Sequence, residues 1–202
     1  HLWVKANPVT LVRKQQRSTG IRLLSDAERA ALIKACGHSP MAELELIVTL
    51  ALTTAMRRSE IRALRWQDLN VTRGTIVIPK AKTRPHRVVP MAPPVLALLG
   101  KHAQLRQHHT ELVFARSNPE DIRPIDFDRA FIDAVRAAKI KRFRFDDCRH
   151  TAASHFTMSQ ARPIDIAAVL GYKTLAMVKR YAHLSAQYRR QGVDPIGQNY
   201  FM

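Results

Sequence analysis

Three separate stretches of this 202-residue chain place basic side chains where the backbone should change direction. Arg57 follows a long apolar run. Lys80 and Lys82 lie between two β-branched runs. Arg149 stands near the start of a helical stretch, behind a basic connector. Such groups brought together would suit a phosphodiester, because the planar fork of arginine matches two non-bridging phosphate oxygens. An arginine delivered at the end of a buried helix would also be held still. Read singly, each of these residues is an ordinary surface cation. The phosphate reading therefore rests on their order and spacing together.

The elements that must position them can be read from pattern. Ser25 and Glu28 have capping-box spacing and predict a helix to about Cys36, stopped by Gly37 and Pro40. Met41 to Ala55 is apolar on nearly every face, as expected of a helix buried in the middle of a domain. Arg57, Arg58 and Glu60 follow at once, and a short helix and a turn should come next. Thr75–Ile78 and Arg87–Val89 predict two strands joined by the basic loop 79–86, and Asn70–Arg73 offers a third. Pro93 and Pro94 open a helix to about His108. Asp126–Ile140 has clean helical periodicity. Asp146–Met158, Pro163–Leu170 and Thr174–Leu184 predict three more helices, with Gly171 ending the second. The expected fold class is α+β and mainly helical, with one small antiparallel β-sheet.

Composition narrows the partners. Lys and Arg total 33 against 16 Asp and Glu, a formal net charge of +17. With 46% hydrophobic residues the chain is a folded body and not a basic tail. So large an excess repels itself, and it makes sense beside a polyanion, nucleic acid ahead of anionic membrane. No stretch approaches the ~18 consecutive apolar residues of a membrane span. The start of the chain lacks a signal-peptide pattern. Cys36 and Cys148 lack metal-ligand spacing, so neither a metal site nor a disulfide framework is expected, and the compartment reads as a reducing cytoplasm. Residues 1–22 are rich in Lys and Arg and read as a basic linker, with a solvated tail as the alternative. The chain begins at His1, which suggests a piece of something longer.

Four segments carry a family resemblance. Thr53-Thr-Ala-Met-Arg57-Arg-Ser-Glu60-Ile-Arg-Ala-Leu-Arg-Trp-Gln-Asp68 resembles the first arginine box of the tyrosine recombinases, the phage integrase family. Lys82-Thr83 through Arg87-Val-Val-Pro90 is similar to its β-hairpin lysine motif. Asp146-Asp-Cys-Arg149-His150-Thr151 resembles its His-x-x-Arg-His-Thr box. Leu170-Gly171-Tyr172 and Arg180-Tyr181-Ala182-His183-Leu184 resemble its Leu-Gly-His and nucleophile boxes. The match runs from about Leu24 to Leu184, in family order and at family-like separations.

The resemblance implies site-specific recombination of double-stranded DNA, as in a prophage or mobile-element integrase, without metal or cofactor. Tyr181 would attack the scissile phosphorus and form a 3′-phosphotyrosine, which keeps the bond energy. Arg57 and Arg149 would brace the non-bridging oxygens. Lys82, preferred over Lys80 for its motif match, would protonate the departing 5′-oxygen. Glu60 would orient a cation or a loop, with an exposed helix carboxylate as the alternative. His150 more often supports such a site or caps its helix than acts as a base, with compensation by His150 or His183 for weakened histidine-slot functions as the alternative. Tyr181 itself has a plainer reading, an aromatic at the edge of the core. The resemblance further implies a catalytic domain over 23–184, a C-terminal tail over 185–202 and a missing N-terminal clamp domain. It implies a homo-tetramer on DNA when full length, with a monomer as the alternative for this piece, and a cytoplasmic, nucleoid-associated location.

Two positions depart from the family pattern. Asp146 stands where the family usually has histidine, and a carboxylate beside a phosphate is repelled unless it pairs with Arg149 or takes a proton. Tyr172 stands where the family usually has His or Trp, and its hydroxyl can still donate to a phosphate oxygen. These changes raise one alternative, a recombinase-derived DNA-binding protein with weakened catalysis. A more distant one is an unrelated basic helical module that binds RNA.

Overall fold

The computed structural model describes residues 22–79, 86–104, 110–116, 118, 120–121, 123–159, 161–172 and 174–181, without the side chain of Arg180. Lys80, Lys82 and His183 lie outside the described residues, as do the whole basic segment before Arg22 and the tail from 185.

The first helix, α1, runs Asp26–Gly37. Ser25 and Glu28 form the expected capping box: Glu28 N–H donates to Ser25 Oγ, and Ser25 N–H to Glu28 Oε2 at 3.0 Å. Helix α2 spans Leu44–Thr54 and is buried on nearly every face, as its sequence predicts. It packs against α1, α4 (Pro93–Gln104) and α6 (Phe145–Met158). Helix α5 is Asp128–Ala137 and packs on α1. Phe145, the first residue of α6, meets Phe127 and Phe131 beside and on α5, with ring centroids 4.9 and 5.2 Å away. Those contacts pin the N-terminal turn of α6, four residues before Arg149.

The sheet is three-stranded and antiparallel, ordered β1 (Leu69–Asn70), β2 (Thr75–Ile78), β3 (Arg87–Pro90). The third strand therefore exists, shifted slightly from the expected Asn70–Arg73. Ile76 pairs with Val89 and Ile78 with Arg87. Side chains alternate along a strand, so Ile76, Ile78, Val89 and Arg87 all face inward and all are buried. The register thus drives an arginine into the interior.

Helix α7 is Pro163–Leu170, with Pro at its first position and Gly171 as left-handed cap (φ 63°). The helix expected over Thr174–Leu184 is not found in its described part. Residues 175–177 and 179–181 form two short 3₁₀ turns instead. Val178 and Tyr181, three residues apart, are both buried while Leu175 is exposed. Val178, between the two turns, and Tyr181 belong to one apolar cluster. The remaining helices and the sheet agree with the α+β reading. No described helix is long and apolar enough to cross a membrane. Both cysteines are buried free thiols.

Candidate active site

Helix α2 ends in a left-handed residue that is not glycine. Ala55 has φ 54° and ψ 25°, in a region that L-residues enter at a cost of about 1–2 kcal/mol. The turn swings the chain so that Arg57 sits extended at the head of the short helix α3, Arg58–Arg62. Arg149, on the second turn of α6, locks that turn in place. Its Nη1–H donates to the Ala55 carbonyl at 2.5 Å, and its Nη2–H donates to the Leu170 carbonyl at the end of α7. Arg149 is only 8% exposed. Two of its five N–H groups are committed to these carbonyls, and they fix the direction of the fork. The guanidinium also lies over the Tyr172 ring, 5.2 Å from its centroid. Burial, and then repulsion from Arg57, lowers the Arg149 pKa to about 10, so the group keeps its charge at neutral pH. Two guanidiniums held in mutual repulsion form a site that an anion would relieve.

Glu60 is the hub behind them. Its carboxylate is 8% exposed and accepts from Arg87 Nη1 at 3.0 Å and Nη2 at 2.7 Å. It also accepts the Arg57 backbone N–H at 2.8 Å and faces Arg57 Nη1 at 3.4 Å. Burial alone would raise its pKa. The Arg87 hydrogen bonds, the Arg57 amide and both positive charges outweigh burial and bring it to about 2. Arg87 completes its shell by donating Nε–H to the Val169 carbonyl at 2.9 Å. One buried ion pair thus ties strand β3, helix α3 and helix α7 together. Glu60 is accordingly an orienting group, and the exposed-carboxylate alternative is excluded.

Arg57, Asp146, Arg149, His150 and Tyr172 come together with Arg58, Ser59 and Met177 around one open hollow of about 510 Å³. Tyr181 stands behind it. Its residue is 0% exposed, in a small apolar cluster with Ala55, Ala152, Ala153, Ile166 and Leu170. Its hydroxyl meets His150 Nδ1 at 2.7 Å and the Tyr172 hydroxyl at 3.5 Å. The plainer reading of Tyr181 describes its ring but not its oxygen, which is turned to two residues of the hollow. Asp146 is exposed on the rim of the hollow, which it lines together with Arg58. The pairing with Arg149 considered for it gives way to the carbonyl contacts of Arg149. His150 lies inside α6 and does not cap it.

Arg87 was not singled out from sequence as a site residue, and neither was Arg58. For Arg87 a signal existed: two residues before the inward Val89, it had to face inward too. Arg58 carries no signal beyond adjacency to Arg57.

The chain is similar in sequence and fold to known proteins. The model of the phage integrase family matches residues 22–188. A shufflon-specific DNA recombinase of Escherichia coli is 33% identical over 184 residues, which is 90% of this chain and 45% of that protein. The integrase of Salmonella phage P22 is 29% identical over 185 residues, 86% of this chain and 46% of that one. Among solved structures, the XerA recombinase shares the fold with a TM-score of 0.73 at 23% identity, over 86% of this chain and 64% of its own. XerH site-specific recombinase, bound to a palindromic difH substrate, superposes with a TM-score of 0.73 at 18% identity, over 90% of this chain and 55% of its own. The chain spans about half the length of the curated relatives it matches.

Proposed function

Because the chain belongs to the phage integrase family, we propose that it is the catalytic part of a tyrosine recombinase, which cuts and rejoins double-stranded DNA through a 3′-phosphotyrosine at Tyr181. The observation that carries this reading is the convergence of Arg57 and Arg149 on one hollow, with the Tyr181 hydroxyl behind it. A phosphodiester in the hollow would accept hydrogen bonds from both guanidiniums on its non-bridging oxygens. They would also stabilise the charge that builds on pentacoordinate phosphorus. The Tyr172 hydroxyl would donate to the same phosphate. Tyr181 Oη would advance from its seat to attack, and the adduct conserves the energy for rejoining without a nucleotide cofactor.

The general acid for the leaving 5′-oxygen is assigned to Lys82. Support for it comes from the hairpin's base: Ile78 and Arg87 pair, and Arg87 reaches Glu60 behind the hollow. Ile78 and Arg87 flank the stretch of sequence that carries Lys82, and Arg87 is anchored beside the site. On this reading residues 1–22 are a basic linker, 23–184 the catalytic domain and 185–202 a tail. The tetramer on DNA and the cytoplasmic, nucleoid-associated location rest on family membership. The names of the relatives, recombinase and integrase, favour an enzyme over a descendant that only binds DNA. Asp146 then slows the site rather than abolishing it.

The test is a trap. The chain is incubated with a pool of nicked duplexes of randomised sequence, in which the cleaved fragment diffuses away and strands the adduct. Covalent complexes resistant to detergent are recovered, and their DNA is amplified and sequenced. The proposal expects adducts from the wild type and none from Tyr181→Phe. Adducts formed equally by Tyr181→Phe refute it.

A further inference from the structure

We propose that His150 is a catalytic residue that takes the Tyr181 hydroxyl proton on Nδ1. The inference rests on Tyr181 being the nucleophile and names the group that activates it.

Position is the first argument. His150 follows Arg149 on α6, so the helix that fixes the phosphate-binding guanidinium also fixes the imidazole. His150 is half-buried and lines the hollow. Its Nδ1 stands 2.7 Å from Tyr181 Oη, within the 2.6–3.2 Å reach of a general base. The two rings are 6.2 Å apart and tilted by 43°, so the contact runs through the nitrogen and is not a stack. A neutral imidazole with its proton on Nε2 offers a lone pair on Nδ1, where a phenol O–H donates.

Chemistry separates His150 from its neighbours. The Tyr181 ring is enclosed in an apolar cluster, so its hydroxyl does not shed a proton directly into bulk water. Tyr172 Oη lies farther off at 3.5 Å, and one phenol gains nothing by deprotonating another. Asp146 is exposed on the rim, and a carboxylate is a weaker base than an imidazole. Among the described residues, the charged and titratable groups that share the hollow with His150 or touch it are Arg57 and Arg58 at the head of α3, Asp146 and Arg149 on its own helix, and Tyr172 and Tyr181 beyond α7. The guanidiniums favour negative charge on the tyrosyl oxygen once its proton has gone.

The step balances as follows. The Oη–H bond of Tyr181 breaks and the proton passes to Nδ1. The freed electron pair on Oη forms the bond to phosphorus. The P–O5′ bond breaks, its electron pair leaves on the 5′-oxygen, and that oxygen takes a proton from the general acid assigned to Lys82. In rejoining, the imidazolium returns its proton to Tyr181 as the tyrosyl oxygen leaves phosphorus.

Single-turnover cleavage of a nicked duplex recovered with the wild-type chain tests this across pH. The wild-type rate is expected to rise with pH through the range in which imidazole loses its proton, then to level. His150→Asn keeps a polar atom near the place of Nδ1 but cannot take a proton, and it should cleave about 10²–10⁴-fold more slowly without that limb. Added imidazole should restore part of the rate to His150→Gly. Wild-type rate and pH profile in His150→Asn overturn the proposal, even while adducts through Tyr181 keep the nucleophile reading intact. Adducts that survive Tyr181→Phe, or their absence from the wild type, fail the nucleophile reading itself. A second measurement covers a variant that misfolds: nitrogen NMR on the unaltered chain should find neutral His150 with Nδ1 unprotonated, and protonated Nδ1 in that form overturns the assignment.

Discussion

At the scale of single residues, Glu60 holds more of the site than any group that faces the hollow. Its two oxygens receive Arg87 and the Arg57 backbone, so one carboxylate sets a strand and the helix head that carries Arg57. Breaking a buried pair from one side leaves the other charge uncompensated, at about 3–5 kcal/mol. Glu60→Gln should lose stability of that order in urea unfolding at neutral pH. The pH dependence has a definite sign. The folded carboxyl lies near 2, below its ordinary 4.5. Its contribution is therefore complete above about 4.5 and fades as pH falls toward 2. Unfolding midpoints of wild type and Glu60→Gln should converge on acidification through that window. Asp146 makes the opposite kind of prediction. Its carboxylate faces the hollow where a phosphate would sit. Asp146→Asn should bind duplex DNA more tightly, by filter binding at low salt, and cleave faster. A slower Asp146→Asn would mean that the carboxylate works in the reaction.

At the scale of elements, the site hangs on how helices end. Ala55 bears a left-handed turn that glycine would adopt freely, and its Cβ is fully buried. Ala55→Gly should change stability by less than about 1 kcal/mol, since relief of the turn is set against the lost burial of the methyl and the entropy glycine adds to the unfolded chain. Gly171 is the reverse case. A Cβ there would come within 3.0 Å of Arg87 Nη1 and 3.1 Å of its Cδ, at φ 63°. Gly171→Ala should cost about 1–3 kcal/mol and loosen the Arg87–Glu60 pair. Thermal unfolding of the two variants checks that Gly171→Ala is the more destabilising.

The same elements mark what sequence can reveal. Capping at Ser25 and Glu28, Pro at the head of α7 and the all-apolar α2 are local signals, and each element appears where they put it. Thr174 to Leu184 has no local stop, so its sequence predicts a longer helix than the two short 3₁₀ turns of its described part. There Val178 and Tyr181 are drawn to one side by the cluster they fill, which is a tertiary cause. The inward Arg87 needed strand register, and the covered Tyr181 hydroxyl needed the placement of His150 and Tyr172. Motif order alone brought Arg57, Arg149, His150, Tyr172 and Asp146 to a common place, because their spacing follows elements that the motifs themselves build.

At the scale of the whole molecule, charge decides the partner. A net +17 on 202 residues favours a polyanion at long range and before any specific contact. Binding to duplex DNA should weaken steeply with salt, each neutralised phosphate adding about −0.9 to the slope of log K against log salt. Titrations at several salt concentrations check this, and competition with an RNA duplex checks the RNA-binding alternative, which predicts the reverse preference.

The central claim is that one tyrosine takes the DNA. The most direct measurement is mass spectrometry of the trapped complex after nuclease and protease digestion. The account predicts a nucleotide esterified to the peptide that carries Tyr181. A nucleotide on the Tyr172 peptide, or on any other residue, would contradict it.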